Sequence, residues 1–458
     1  MNTTTTIIVV LAIYMAAMVA IGFYGRKYAT TFSDTITAAK RSTLLMVLGS
    51  AMGAHIGSGF VVGSGEYGVY YGLSGAWYGL GCAVSYIMAG VLFARFIYKH
   101  NYVSLSDYFL DRYGDRVTRL IYSISLPLSY VAGFAGQILA GKALFVAFGI
   151  DGDVGLIIMT IVVLFYASLS GLWGAYMTSV IQVGIILVSM IVAFFHLLSN
   201  GGFAFMSSAL PAESFNLFAC DPEVFILMVI PTLLSTPTDQ TVFQRTASAK
   251  SEKAAVLGHI IGGLILIPVA FIPVLMGMYG SCVMPDAEPA SVLVQVVLKE
   301  FSPIFAAIFI AAVLSAIMST CDGIFIGAST TVIHDIYRGM INPNASEEKC
   351  KRYSTILNVI VAALGVMLAL SFNSIIDLLS MAYTILFSGC LVPFVGGLLW
   401  KKGNTTGALG SAVCGIGCSA LILAGIFNPP YSSIFPALPA LIGYIVFTLI
   451  GDRKNADK

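Results

Sequence analysis

The sequence predicts an all-α membrane protein of about thirteen transmembrane helices, arranged as a 5+5 inverted repeat with two discontinuous helices. Three observations lead there. Of its 458 residues 58% are hydrophobic and only 10% charged, against roughly 25% charged in soluble domains, so lipid is the solvent for most side chains. Apolar runs of roughly 20 residues, the length that crosses a bilayer core, recur along the whole chain. Two of these runs, five apart in order, carry helix-breaking residues in their interiors, and an interrupted membrane helix must be buried in protein or line a cavity.

The runs fall near 4–24, 43–71, 75–97, 118–149, 154–170, 172–198, 221–243, 254–280, 302–333, 353–372, 375–400, 405–427 and 432–451. The first follows MNTTTT, with no basic segment and no small-residue cleavage site, and is read as a retained helix rather than a signal peptide. The second reads GSAMGAHIGSGFVVGSGEYGVYYG over 49–72 and is dense in glycine. The seventh reads IPTLLSTPTDQTVFQR over 230–245, with Pro231 and Pro237 inside it. Glycine also permits close helix packing and proline a simple kink, so the placement of the two breaks at the head of each five-helix half is what gives them weight. The division expected is 1–42, first helix and cytoplasmic loop; 43–198, first repeat; 199–220, extracytoplasmic loop; 221–400, second, inverted repeat; 401–458, two additional helices and a cytoplasmic tail. The halves share no residue-level similarity, so the repeat is inferred from topology.

Of the 23 Lys and Arg residues, only Lys142 and Lys299 fall outside the loops on one side, the side of Arg26, Lys40, Arg95, Arg119, Arg245, Arg338, Lys401 and Lys458. Cytoplasmic loops are enriched in such residues, which puts the N-terminus outside and the C-terminus inside. The net charge of +1 therefore carries no nucleic-acid signal; the bases mark topology. The short loops suit the plasma membrane of a bacterium, its inner membrane, and a monomer is sufficient for the expected function. The eight cysteines contain no CxxC, which indicates no structural metal; Cys220 and Cys282, in the outer loops, are read as two free thiols or as a disulfide. A GxxxxGK[ST] loop, an HExxH cluster and a selectivity-filter pattern are all absent from the sequence, which argues against ATP drive, an enzyme and a channel in turn.

The ninth run contains LSAIMSTCDG at 314–323. Ala316, Ser319 and Thr320 are spaced i, i+3, i+4, so one carbonyl and two hydroxyls share a helix face. Such oxygens suit a small hard cation if carbonyls from a broken helix complete its shell. Hydroxyls that bond back to carbonyls one turn earlier give the same spacing.

These residues, with HDIYR (334–338), GFVVGSGEYGVYYGLSGAWYGLG (59–81), VSLSDYFLDRYGDR (103–116), SGLWGAYMTSVIQ (170–182) and DQTVFQR (239–245), resemble the solute:sodium symporter family, whose fold is of the LeuT type. The likeness runs from the second span to about Lys402. It implies sodium-coupled symport of a small polar organic solute into the cell by alternating access, with a sodium site formed by the carbonyls of Gly53, Ile56 and Ala316 and the hydroxyls of Ser319 and Thr320. Many relatives carry TDxxQ in the sixth span; here Thr178, Ser179, Val180, Ile181 and Gln182 stand there, and with Ser179 in place of the acid one sodium ion per cycle is expected.

The resemblance puts the solute between the broken helices and the third, fourth and eleventh spans. Candidates are His55, Ser58 and Gly59 at the first break, Trp77, Ser129, Tyr130 and Gln137, Thr232 and Ser235 at the second break, and Tyr383. His55 is read either as a solute contact or as a bond between helices, and its titration keeps proton-coupled symport as an alternative. Glu66, Asp239 and Asp322 are intramembrane acids, costly in lipid and assigned gating or electrostatic roles; Asp239 is expected to pair with Arg245 at an inner gate. Lys142 and His196 are expected to snorkel and His259 to pack between helices. The partners expected are the solute, sodium and the bilayer.

Overall fold

The computed structural model describes residues 3–25, 27, 31–114, 116–167 and 172–456. Arg26 and Lys458 of the charge pattern, and Ser170 and Gly171 of the quoted motif, lie outside these. Among the described residues there are helices and one isolated bridge, Ser42 to Ala249, and no strands. Nine helices among the described residues are long and apolar enough to cross a membrane, and four shorter apolar ones accompany them.

The chain enters through α1 (Thr3–Gly25) and a short α2 (Phe32–Thr37) closed by a Thr31/Asp34 capping box. Capped by Thr43, α3 (Leu44–His55) stops at Ile56, where the backbone leaves the helix at φ −77°, ψ 55°. A π-helical turn, Gly59–Gly63, restarts the span, which continues as α4 (Ser64–Tyr71). It is followed by α5 (Ala76–Met88) and α6 (Ala94–His100), and then by α7 (Leu105–Tyr113), which lies outside the apolar spans. The first half ends with α8 (Arg116–Ala147), α9 (Gly152–Ala167) and α10 (Leu172–Ser199).

After α11 (Gly202–Ala209), the second half opens with α12 (Pro222–Ser235). A single 3-10 turn, Thr236–Thr238, interrupts it; Asp239 is extended and caps α13 (Gln240–Ser248). There follow α14 (Glu252–Val269), α15 (Phe271–Val283), α16 (Pro289–Glu300) and α17 (Pro303–Ser329). A π-helical segment, Thr330–Ile341, prolongs α17. The chain closes with α18 (Glu347–Ala369), α19 (Ile375–Leu399), α20 (Thr405–Leu423) and α21 (Ala437–Ala456).

Both spans that sequence marks as interrupted are interrupted, at 56–58 and at 236–239. Helices α5 and α14 pack on them, while α8, α17 and α18 pack on one another as a second body. Buried along nearly its whole length, α17 is the axis of the core. Outer helices instead expose Ile13, Ile161, Phe165, Met367 and Ile442, surfaces that would aggregate in water and that lipid covers.

The loops rich in Lys and Arg are knitted together in one layer, here the basic face. Lys40 donates to Asn101, Lys250 N–H to Ser42 O, and Arg112 to the carbonyls of Gly397 and Trp400. Ion pairs join Arg95 to Glu252 at 2.7 Å and Arg338 to Glu347 at 2.7 Å, and Phe32 N–H donates to Glu347 as well. The opposite face is tied by Ser74 to Asn216 O and by Trp77 to Leu217 O. Cys220 and Cys282 are free thiols.

Candidate ion and solute site

Helix α3 ends with carbonyls that have no partner in its own ladder. Two of them meet the hydroxyls of α17. Ser319 Oγ lies 2.7 Å from Gly53 O and 3.1 Å from Ala316 O. Thr320 Oγ1 lies 3.2 Å from Gly53 O, 3.3 Å from Ala54 O and 3.1 Å from Ala316 O. Each hydroxyl has one proton to donate, so these five approaches leave oxygen lone pairs facing one another. A cation among them converts that repulsion into coordination, and neutral oxygens in this number are the donor set of a hard ion. Back-bonding to Ala316, the alternative reading of the spacing, is present too, but it does not account for the Gly53 contacts.

Of the five residues expected at the ion, the structure brings Gly53, Ala316, Ser319 and Thr320 together; Ile56 is fully buried at the end of α3, at the start of the break. Space decides one nearby position and contact locates another. A Cβ at Gly57 would stand 2.6 Å from Thr320 Oγ1 and 3.1 Å from Gln137 Oε1, so only glycine fits beside the hydroxyl. A Cβ at Gly53 would reach Ser319 and Ser179, each at 3.4 Å, which puts the serine that replaces the acid of TDxxQ at the edge of this site. Asp322 is buried and within hydrogen-bonding reach of Tyr166, whose hydroxyl also bonds Thr178.

Beside the oxygens lies a cavity of about 70 Å³. His55, Gly59, Ser129, Tyr130, Gln137, Tyr383 and Asp239 line it, together with Thr320. Gln137 Oε1 accepts the N–H of Ser58 at 2.9 Å and so holds the break open from α8. His55 stands edge-on to Tyr86, ring centroids 4.3 Å apart, and Tyr86 stacks on His259. His259 packs between helices, its Nδ1 on Ala255 O at 2.7 Å.

Other candidates lie elsewhere. Trp77 donates to Leu217 O and packs against Phe218 and Phe225, away from the cavity, whereas its neighbour Tyr78 lines it. Consecutive helical residues point roughly 100° apart, so Trp77 and Tyr78 meet different neighbours, and nothing local in the sequence favours 78 over 77. Thr232 and Ser235 are buried within α12, where Thr232 O accepts from both Ser235 and Thr236. The pairing expected between Asp239 and Arg245 is not formed. Asp239 Oδ1 accepts Thr241 N–H at 2.8 Å as a helix cap, while Arg245 donates to Ser50 O at 2.9 Å and Thr241 O at 2.8 Å. Asp239 is the extended N-cap of α13, and its carboxylate is taken up by the Thr241 N–H. Lys142 pairs with Asp153 at 3.0 Å, and His196 rests on the Phe301 ring.

On the face away from the basic loops, α4 is closed against α19. Tyr67 donates to Asp377 Oδ1 at 2.6 Å, and Glu66, buried, accepts the N–H of Ile375 at 3.5 Å at the N-terminus of α19.

A profile of the sodium:solute symporter family matches residues 36–415. The chain is similar to the sodium/pantothenate symporter of Escherichia coli (strain K12), 28% identical, over 98% of this chain and 96% of that one. It is also similar to the sodium/proline symporter of Haemophilus influenzae (strain ATCC 51907 / DSM 11121 / KW20 / Rd), 25% identical over 89% and 86%. Among solved structures, a sodium-coupled sialic acid symporter in a substrate-bound outward-open state superposes with a TM-score of 0.79 at 20% identity, over 97% of this chain and 98% of that one. Mhp1, a nucleobase-cation-symport-1 family transporter, gives 0.57 at 14% identity, over 92% and 94%. The fold is thereby that of the LeuT-type transporters.

Proposed function

We propose, for a chain that belongs to the sodium:solute symporter family, that one sodium ion drawn by its gradient carries a compact polar solute into the cell by alternating access. Sodium-coupled symport is the activity of the family; the solute, the ion's ligands and the direction are the proposal. The observation that carries it is the convergence of Ser319 and Thr320 on the carbonyls at the broken end of α3. Gly53, Ile56, Ala316, Ser319 and Thr320 are the ligands, and the basic face is cytoplasmic, as the distribution of Lys and Arg favours.

The solute occupies the adjoining cavity, against His55, Gln137, Tyr78, Tyr130 and Tyr383. Hydroxyls, one amide and one imidazole favour a small molecule with several hydrogen-bonding groups. The names of the relatives and of the aligned structure mention pantothenate, proline and sialic acid, and each of those molecules is a small carboxylic acid. Small organic acids are therefore the first solutes to try. The helices are grouped as 43–198 and 221–400, two five-helix halves, with 401–458 appended. In the cycle, sodium joins α3 to α17 and orders the break, which lowers the cost of ordering the solute site beside it.

The test is uptake into proteoliposomes driven by a sodium gradient at fixed pH, with a panel of small organic acids and neutral polar solutes. Uptake that follows an imposed proton gradient and ignores sodium would transfer the mechanism to the proton-coupled alternative.

A further inference from the structure

We infer that the segment 103–105 is a latch across the basic face, with Gln240 and Asp335 as the residues that position it between the two bodies of the protein. Its link to transport rests on the sodium-site reading above.

The segment is held from both sides. Ser104 is extended (φ −132°, ψ 159°), so the carbonyl before it and the N–H after it point the same way. Gln240, the first residue of α13 and fully buried, pairs with both, as a neighbouring strand would. Its Oε1 accepts Leu105 N–H at 2.9 Å and its Nε2 donates to Val103 O at 2.8 Å. The Ser104 hydroxyl meanwhile donates to Asp335 Oδ1 at 3.1 Å, on the π-helical continuation of α17. The same oxygen takes His334 Nδ1 at 2.9 Å and lies 3.5 Å from Arg119, while Asp107 accepts the N–H groups of Val103 and Ser104 at 3.0 Å each. Asp335 is fully buried, and its second oxygen has no partner. A buried carboxylate is costly unless paired, so its partners are what hold it in place, and it in turn holds them.

The two anchors belong to elements that flank the ion. α13 follows the second break, and Thr241 on it lines the cavity. The π-helical segment prolongs the helix that carries Ser319 and Thr320. An ion between Gly53 and Ser319 and a latch between Gln240 and Asp335 therefore draw together the same two bodies, one at the break and one at the basic face. Separation at that face, which release of solute and ion inward requires, must break the Ser104 to Asp335 bond or the two Gln240 bonds.

Ile324, which lines the cavity, serves as reporter once replaced in Ile324→Cys. A membrane-impermeant maleimide is applied without sodium to inside-out vesicles, with the protein lacking the reporter as background. Asp335→Asn, Gln240→Leu and Ser104→Ala should each raise the modification rate, about tenfold for the first two, as expected when a closed state loses about 1.4 kcal/mol. In right-side-out vesicles the rate should fall or stay constant, which general loosening would not produce. Ser104→Ala removes only a hydroxyl, so it keeps the test valid if the buried variants fold poorly. Unchanged rates in all variants that retain the parent's melting temperature would overturn the latch. If sodium fails to slow modification in the parent reporter, the ion-site reading fails instead, while the comparison made without sodium still decides the latch.

Discussion

Replacing Ser319 by alanine removes the hydroxyl 2.7 Å from Gly53 O and leaves every other oxygen of the cluster in place. Without the ion, the loss is one neutral hydrogen bond, about 0.5–1.5 kcal/mol, seen as a small fall in melting temperature. With the ion, the lost contact is to a full charge, about 1.5–3 kcal/mol. At 1.4 kcal/mol per decade, sodium half-saturation should rise roughly 10-fold to 150-fold. Thr320→Ala should do at least as much, because its hydroxyl touches three carbonyls rather than two. Thr320→Ser keeps the oxygen and should stay within about threefold of the parent. The assay is melting temperature against sodium concentration at constant ionic strength, since an ion that binds only the folded state stabilises by RT ln(1 + [Na⁺]/Kd). Half-saturation within about twofold of the parent in both alanine variants would refute the reasoning, as would equal stabilisation of the parent by potassium.

Three further outcomes follow from particular contacts. Gly57→Ala places a Cβ 2.6 Å from Thr320 Oγ1; such overpacking costs about 1–3 kcal/mol, and sodium-dependent uptake should be lost in protein that still folds, as checked by gel filtration alongside uptake. Tyr67→Phe deletes the bond to exposed Asp377; discounted for solvent to about 1 kcal/mol, it should shift the population open toward that face about fivefold, read by labelling of a cavity cysteine from that side. Burial, and then neighbouring Asp335, raise the Asp107 carboxyl above the ordinary carboxylate range. An acid so shifted binds its proton more tightly when folded, so its contribution to stability is present at acid pH and is lost as pH rises through the raised value. Melting curves from acid to neutral pH should therefore decline less in Asp107→Asn than in the parent.

Much of this was legible in the sequence because membrane helices are specified by composition and their exceptions by glycine and proline. The breaks near Gly57 and Pro237 fell where they were read, and the i, i+3, i+4 spacing of Ala316, Ser319 and Thr320 placed those groups on the face that meets Gly53. Contacts between distant segments were less legible. Trp77 and Tyr78 differ by one helical step, and only the packing of α5 on α14 decides which of them reaches the cavity. Asp239 and Arg245 carry opposite charges close in sequence, yet capping takes one and carbonyls the other. Gln240 gave no signal at all, because an amide that pairs with a loop 135 residues away leaves no local periodicity.

The interrupted span of α3 and α4 also explains why two ligands should be needed at once. Its α4 arm is tied to α19 through Tyr67 and Glu66, and its α3 end to α17 through Gly53, with the cavity beside the break. Moving a two-state protein from about 1:99 to about 99:1 requires roughly 5.5 kcal/mol of differential binding. On the proposed reading, a few neutral oxygens around one ion, at about 1.5–3 kcal/mol for the contact that changes most, would supply only part of that. A solute held by the cavity's hydroxyls and amide, as proposed, would supply a similar part. Together the two would supply about 3–6 kcal/mol, a range that includes the threshold, where either alone at about 1.5–3 kcal/mol falls short of it. On the reading proposed above, that is how ion and solute depend on each other in symport.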